Sequence, residues 1–192
     1  GSTETTGIAL SNPIEGGKLD SIGIPCPYYE ARIVDENGNN VGVNKIGEMI
    51  INGRANITAY FDNEKESESL IKNGWLHTGD MVKKDTEGYF YFISRKSRMI
   101  KVAGWKVYPN EIEEILSSHP DVVECAVTKI YDQTLGELPR AVVVLQDESA
   151  VSPGELRRYC SQRTAKYKVP AVVEFVDALP KAPSGKILYQ NL

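Results

Sequence analysis

The sequence is poor in the residues that staple or load a small protein. Its 192 residues include three cysteines and two histidines. Cys26, Cys125 and Cys160 stand far apart and form no C-x-x-C pair, which argues against a disulfide framework and against a zinc site. His77 and His119 are equally isolated. Three buried or half-buried thiols in a reducing cytosol is the better reading. No apolar run approaches the roughly 20 residues that span a bilayer. Gly1-Ser2-Thr3-Glu4-Thr5-Thr6 has no basic stretch leading into an apolar one, so it does not read as a signal peptide. Gly1-Ser2 reads equally as native or as the remnant of a cloning site. Positive charge is also short: 22 Lys and Arg against 26 Asp and Glu leave a net charge of -4. That balance offers no sequence-wide attraction to nucleic acid or to an anionic membrane. The expected setting is cytoplasmic, with no nucleic acid and no membrane span.

What is present is globular in character, with 41% hydrophobic and 25% charged residues. The length suits one ordinary domain or two small ones. Residues 1–97 read mainly as β-structure. Ala31 to Asp35 alternates and runs into Glu36-Asn37-Gly38-Asn39, a hairpin signal. Glu48 to Ile51 is a second strand, and Met81–Lys83 and Tyr89–Ile93 flank a turn cluster, Asp85-Thr86-Glu87-Gly88. Short strands so punctuated suggest a small barrel or sandwich. One helix interrupts them near Asn63 to Ile71, with Asn63 as its cap and acidic residues in its first turn.

From about Arg98 the pattern changes. Met99–Val102 and Trp105–Tyr108 bracket Ala103-Gly104, and Pro109 opens a helix with Ile112, Ile115 and Leu116 on one face. Asp121–Ile130 and Arg140–Leu145 read as valine-rich strands, and Val172–Val176 as a last one. Ser152-Pro153-Gly154-Glu155 is a capping box. The helix it starts points Leu156, Tyr159 and Cys160 inward and stops before Pro170. The fold class is therefore α+β: a small β-barrel-like part, then a domain with a three-stranded sheet and flanking helices.

Three polar, glycine-bearing segments lie between these elements. In Gly74-Trp75-Leu76-His77-Thr78-Gly79-Asp80, a carboxylate behind a glycine can approach vicinal hydroxyls closely. Spacing alone favours a simple Asx-type turn. In Ser94 to Lys101, four cations fall within seven residues. A phosphate site and a solvated basic junction explain them about equally well. In Pro180-Lys181-Ala182-Pro183-Ser184-Gly185-Lys186-Ile187, a stiffened loop offers a lysine that can oppose developing phosphate charge, or is a plain surface loop. It is no Walker loop, because Pro180 replaces the required glycine and Ile187 the Ser/Thr.

Taken in order, these segments resemble the late motifs of the adenylate-forming superfamily, which comprises acyl- and aryl-CoA synthetases, nonribosomal peptide synthetase adenylation domains and beetle luciferases. The motifs are T-G-D, then G-R-x-[DK]-x-x-I-K-x-x-G, then P-[KR]-x-x-x-G-K. Here they stand as Thr78-Gly79-Asp80, Ser94-Arg95-Lys96-Ser97-Arg98-Met99-Ile100-Lys101-Val102-Ala103-Gly104, and Pro180-Lys181 through Gly185-Lys186. Gly1-Ser2-Thr3-Glu4 is similar to the family's Y-G-x-T-E motif without its tyrosine.

The resemblance implies residues 1–97 as the β-rich end of a large N-terminal domain and 98–192 as a mobile C-terminal domain. It implies a ligase that makes an acyl-adenylate from a carboxylic acid and ATP, then transfers the acyl group to CoA. Thr3 would lie near the α-phosphate, Glu4 on Mg2+, Asp80 and Arg95 at the ribose, and Ser97 at the hinge. Lys186 would serve adenylation, and Lys101 thioester formation with Gly104 beside the pantetheine passage. Ser97 departs from the usual Asp or Lys, and Ser94 from the usual glycine. No segment matches the family's phosphate loop or acyl pocket, so partner surfaces upstream are implied and residues 1–192 alone are expected not to turn over. Val107-Tyr108-Pro109-Asn110-Glu111 looks like the CoA ligases. The alternatives are an adenylation domain that loads a carrier protein, and a non-catalytic interaction module.

Overall fold

Alternating and β-branched residues dominate the first half, and the chain there forms strands. The computed structural model describes residues 1–192. By its internal contacts the chain divides into two units, Gly1–Ser97 and Arg98–Leu192. In the first unit, β1 (Leu10–Ser11) pairs with β2 (Ile24–Pro25). There follow β3 (Tyr29–Val34), β4 (Gly47–Gly53), α1 (Glu64–Leu70), β5 (Ile71–Lys72), β6 (Trp75–Lys84) and β7 (Phe90–Arg95). They build one antiparallel sheet in the order β3-β4-β6-β5, with β7 also paired to β6.

The turn chemistry explains the register. Asp35 Oδ1 accepts the backbone N–H groups of Asn37 and Asn39, both at 2.9 Å, and closes the β3 turn. Asp85 Oδ1 does the same for Glu87 (2.9 Å) and Tyr89 (3.0 Å) between β6 and β7. The Lys18 ammonium, 2.6 Å from Asp85 Oδ2, pulls that carboxyl down to about 2. Asn63 caps α1 by accepting the Glu66 N–H at 3.3 Å. Leu10, Ile33, Met49, Ile51, Val82 and Phe90 form the core of this unit.

The second unit opens with β8 (Ile100–Val102) and β9 (Trp105–Val107). Val102 pairs with Trp105, so Ala103 and Gly104 form a two-residue turn. Both have positive φ, +46° and +87°, as a type I′ hairpin turn requires. Next come α2 (Pro109–Ser117), β10 (Val122–Asp132), β11 (Gly136–Leu145), α3 (Pro153–Ser161) and β12 (Val172–Phe175). β10, β11 and β12 are the three strands that the valine pattern predicts. The β8–β9 hairpin joins them through a single pair, Gly136 with Val102, so the complete sheet has five strands.

The capping box at α3 is complete: the Glu155 N–H donates to Ser152 Oγ at 3.3 Å and the Ser152 N–H to Glu155 Oε2 at 2.8 Å. α3 ends earlier than Pro170 alone would demand, and a 3₁₀ turn at Lys166–Lys168 fills the interval. Tyr159 lies at the rim rather than in the core, edge-on to His119 with its hydroxyl on Ser118. One sheet face packs on α2 and α3 through Ile112, Leu116, Leu156 and Cys160, and burial pushes the Cys160 thiol up to about 11. The other face carries Ala126, Val142 and Leu179, against which Ile187 and Tyr189 pack. Burial on both faces explains the unbroken Val142-Val143-Val144 run.

The boundary between the units in the chain falls within a 3₁₀ turn, Lys96–Arg98, in which Ser97 is exposed. Limited trypsin digestion is expected to cut first between Ser94 and Lys101 and to leave two stable pieces. Early cuts inside β10 or β4 would put the flexible point elsewhere.

Candidate functional site

The ladder between β4 and β6 is mismatched at one place. Glu48 pairs with Met81 and Ile50 with His77, so Met49 alone faces Thr78, Gly79 and Asp80. The surplus residues bulge out of the sheet. Gly79 takes φ +69°, a conformation that suits glycine. The Thr78 hydroxyl donates to the Met49 carbonyl at 2.7 Å, and the Asp80 N–H donates to Thr78 Oγ at 3.1 Å. The Gly79 N–H donates to Glu48 Oε1 at 3.3 Å.

The bulge turns Asp80 toward β7, where Arg95 is its register partner. The Arg95 guanidinium lies 3.1 Å from Asp80 Oδ1 and also donates to the Thr78 carbonyl at 3.1 Å. Burial raises the Asp80 carboxyl above its ordinary range. Arg95 opposes that shift, and the nearby Glu4 and Glu48 charges add to it. Asp80 is therefore a half-buried acceptor whose cation partner stays more than half exposed, with 53% of its side chain accessible.

Asp80, Arg95 and Thr78 share a cleft of about 350 Å³ with Glu4 and with an apolar wall that includes Met49, Leu76 and Phe92. Glu4 Oε1 accepts the Tyr60 hydroxyl at 2.7 Å. That bond is the main reason the Glu4 carboxyl sits below its usual range, and it drives the Tyr60 phenol up to about 12. Glu4 is thus ionised, with Tyr60, Ser2 and its own backbone N–H all bonded to its carboxylate. Thr3, its neighbour, is exposed in the turn that ends at Thr6 and does not line the cleft.

The remaining sequence candidates belong to the second unit or its edge. Lys101 is exposed on β8 between buried Ile100 and Val102, and its backbone N–H donates to Glu137 Oε2 at 2.8 Å. Gly104 is the second residue of the I′ turn, and a Cβ there would meet no atom within 4 Å. Its φ of +87° accounts for the glycine without reference to any passage. Lys186 is exposed at the end of a tight loop, where the Ala182 N–H donates to the Lys186 carbonyl at 2.8 Å and Lys181 bridges to Ile187. Ser97 ends the first unit.

Several partners were not legible as such. Tyr60 sits in an unremarkable Ala59-Tyr60-Phe61 run, and Glu48 in an ordinary strand. Arg98 lies within the basic run, yet its guanidinium stacks 3.7 Å from the Tyr189 ring centre and bonds Glu113 Oε1 at 2.5 Å. Only a charge-pairing argument across α2 would have flagged it.

Comparison with known proteins agrees with the motif order. Residues 1–61 match the family described as AMP-binding enzyme, and residues 111–186 the AMP-binding enzyme C-terminal domain. This chain belongs to the AMP-binding, adenylate-forming enzymes. A long-chain-fatty-acid–CoA ligase of Escherichia coli O157:H7 is 39% identical over the whole chain. Luciferin 4-monooxygenase of Photinus pyralis is 37% identical over 97% of it. Among solved structures, ATP-bound MatB from Rhodopseudomonas palustris superposes with a TM-score of 0.93 at 31% identity, covering 100% of this chain and 38% of that one. MenE from Bacillus subtilis, in complex with ATP and magnesium, gives 0.88 at 38% identity, covering 100% of this chain and 40% of that one. The chain spans about a third of the length of the curated relatives it matches, 34% for both named above.

Asp80 carries a cost to stability that Arg95 only partly relieves. Its carboxyl is raised on folding, so the ionised form opposes folding at pH values above the unfolded-state value, and the opposition lifts as the acid is protonated. Asp80→Asn is therefore expected to leave the melting temperature unchanged or higher at pH 7. A loss of more than a few degrees, read by calorimetry, would show that the Arg95 pair outweighs the burial.

Proposed function

We propose that this chain is the C-terminal portion of an ATP-dependent carboxylic acid–CoA ligase. The acid oxygen attacks the α-phosphorus of ATP and expels pyrophosphate. The CoA thiol then attacks the acyl carbon and expels AMP. The observation that supports this best is the convergence of Glu4, Thr78, Asp80 and Arg95, from three separate segments, on one cleft.

In this reading the ionised Asp80 accepts hydrogen bonds from the ribose hydroxyls, and Arg95 holds its carboxylate in that pose. The exposed aromatic edge of Phe92 and the apolar wall beside it suit a base ring. The ionised Glu4 carboxylate suits Mg2+. No cluster of three or more His, Cys, Asp or Glu side chains is placed to hold a metal. Glu4 would be the carboxylate of this chain that holds the ion. When bound, the ion supplies charge neutralisation at the phosphates. Tyr60 keeps Glu4 oriented and deprotonated. Thr3 is assigned only the α-phosphate neighbourhood, through its exposed turn.

Lys186 is the cation for adenylation, since an ammonium on a short, cross-bonded loop can meet charge that develops on the carboxylate and α-phosphate oxygens. Lys101 is assigned to thioester formation, with Gly104 beside the pantetheine path. Residues 1–97 then close the large domain, and 98–192 form a mobile domain turning at Ser97. Several of the similar proteins are named as CoA ligases, including crotonobetaine/carnitine–CoA ligase and 2-succinylbenzoate–CoA ligase, which supports CoA rather than a carrier protein as the acceptor. No helix is long and apolar enough to cross a membrane, and all three cysteines are free, which favours a reducing, cytoplasmic setting.

Two measurements test the reading. Residues 1–192 alone are expected to give no ATP–pyrophosphate exchange with any of a broad panel of acids, and robust exchange would refute the dependence on an upstream phosphate loop. In the full-length ligase, Lys186→Ala is expected to cut acyl-adenylate formation by about 10²-fold or more. Thioester formation from supplied acyl-adenylate should change by only a few-fold. Equal losses in both half-reactions would remove Lys186 from its assigned step.

A further inference from the structure

The bulge that aims Asp80 needs support, because a residue pushed out of a ladder loses the partner for its backbone N–H. The Gly79 N–H finds its acceptor on the far side of the sheet. Alternation along β4 sends Met49 and Ile51 to the Asp80 cleft, and Glu48 and Ile50 to a second cleft of about 500 Å³ on the reverse face. β6 alternates in the same way, with Leu76, Thr78 and Asp80 on the first face and Trp75 and His77 on the second. Glu48 belongs to the reverse face, yet its Oε1 reaches the Gly79 N–H.

Glu48 is only 7% exposed, and a buried charge needs partners. Its Oε2 receives the Lys96 ammonium at 2.8 Å and lies 3.2 Å from His77 Nδ1. Burial alone would raise the carboxyl. Lys96 and His77 outweigh it and hold the group below its usual range, so it stays ionised. The two contacts fall on meaningful neighbours. Gly79 precedes Asp80, and Lys96 follows Arg95. One carboxylate therefore binds the backbone N–H beside Asp80 and the side chain beside Arg95.

We propose that Glu48 is a positioning residue: from the reverse face it holds the Thr78–Asp80 bulge and the Arg95–Lys96 strand end in register, and so sets the aim of Asp80. The proposal builds on the reading of Asp80 as a ribose ligand, and the test keeps the two apart.

The direct readout is hydrogen exchange of the Gly79 amide in residues 1–192, which requires no activity. Glu48→Ala is expected to speed that exchange roughly 10- to 100-fold, the range for losing a hydrogen bond to a charged group. Glu48→Gln keeps an oxygen of the same reach and should restore most of the protection. Glu48→Asp keeps the charge, withdraws the oxygen by one methylene and should behave like Glu48→Ala. This keeps the test available if the alanine variant does not fold. In the full-length ligase, Glu48→Ala and Glu48→Asp should raise the KM for ATP by about tenfold with kcat within a few-fold, and Glu48→Gln should recover it. Unchanged Gly79 exchange in both the alanine and aspartate variants overturns the proposal. A Gly79 amide that responds while the KM for ATP stays constant supports the positioning role, and it is then the ribose assignment of Asp80 that falls.

Discussion

A β-ladder pairs one residue with one, and the β4–β6 ladder must place Thr78, Gly79 and Asp80 opposite Met49 alone. Much of the local structure follows from that mismatch. The surplus backbone must leave the sheet, so one residue takes a left-handed φ, and Gly79 supplies it. The groups that lose ladder partners must find others. Thr78 reaches the Met49 carbonyl through its hydroxyl, and the Gly79 N–H reaches Glu48. The bulge shifts the register that follows, and Asp80 comes to rest opposite Arg95. An acid that would otherwise be an ordinary strand residue ends half-buried, facing a cleft. The burial that raises its carboxyl is the cost of that placement, and the adjacent guanidinium offsets part of it.

In the second unit, the loop that carries Lys186 is anchored on both sides. The sheet of this unit is apolar on both faces, so the segment after β12 has somewhere to pack. Leu179 before the Lys186 loop and Ile187 and Tyr189 after it sit on Ala126 and Val142. Between these anchors, Gly185 at φ +82° and the Ala182–Lys186 backbone bond turn the chain sharply. Lys181 is drawn to Glu124 at 2.5 Å, which leaves Lys186 as the loop's other cation, with its side chain in the open.

Local signals in the sequence carried far, because each depends on residues close in the chain. Asn63 caps α1, Ser152 and Glu155 form their box, and the pairing of Met99–Val102 with Trp105–Tyr108 about Ala103-Gly104 is a real hairpin. The five-strand count was not legible, since β8 meets β11 at one pair between residues 34 positions apart. Nor was the bulge: Thr78-Gly79-Asp80 alone allows an Asx turn, and only the pairing of Glu48 with Met81 and Ile50 with His77 shows that the ladder breaks there. Glu48 was hidden for the same reason. It alternates in a strand like any solvent-facing acid, and its burial depends on Lys96, 48 residues away. Motif order identified the family where composition, spacing and charge left every segment open to a plainer reading. That order says nothing of which neighbours hold a motif in place, and the exposed Thr3, outside the cleft its neighbour lines, shows the difference.

The boundary between the units is where these supports combine. Lys96 and Arg98 flank Ser97, and each is gripped within its own unit. Glu48 holds Lys96 at 2.8 Å in the first, and Glu113 holds Arg98 at 2.5 Å in the second. Arg98 is further wedged against Tyr189, and Glu113 accepts the Val127 N–H at 2.8 Å, so its anchor is tied to the sheet. Ser97 has no charge to offer either carboxylate and is exposed. Each bond is charge-assisted and made to a largely buried acid, so both side chains are strongly held. The two ion pairs therefore tie Lys96 into the first unit and Arg98 into the second, with Ser97 exposed between them.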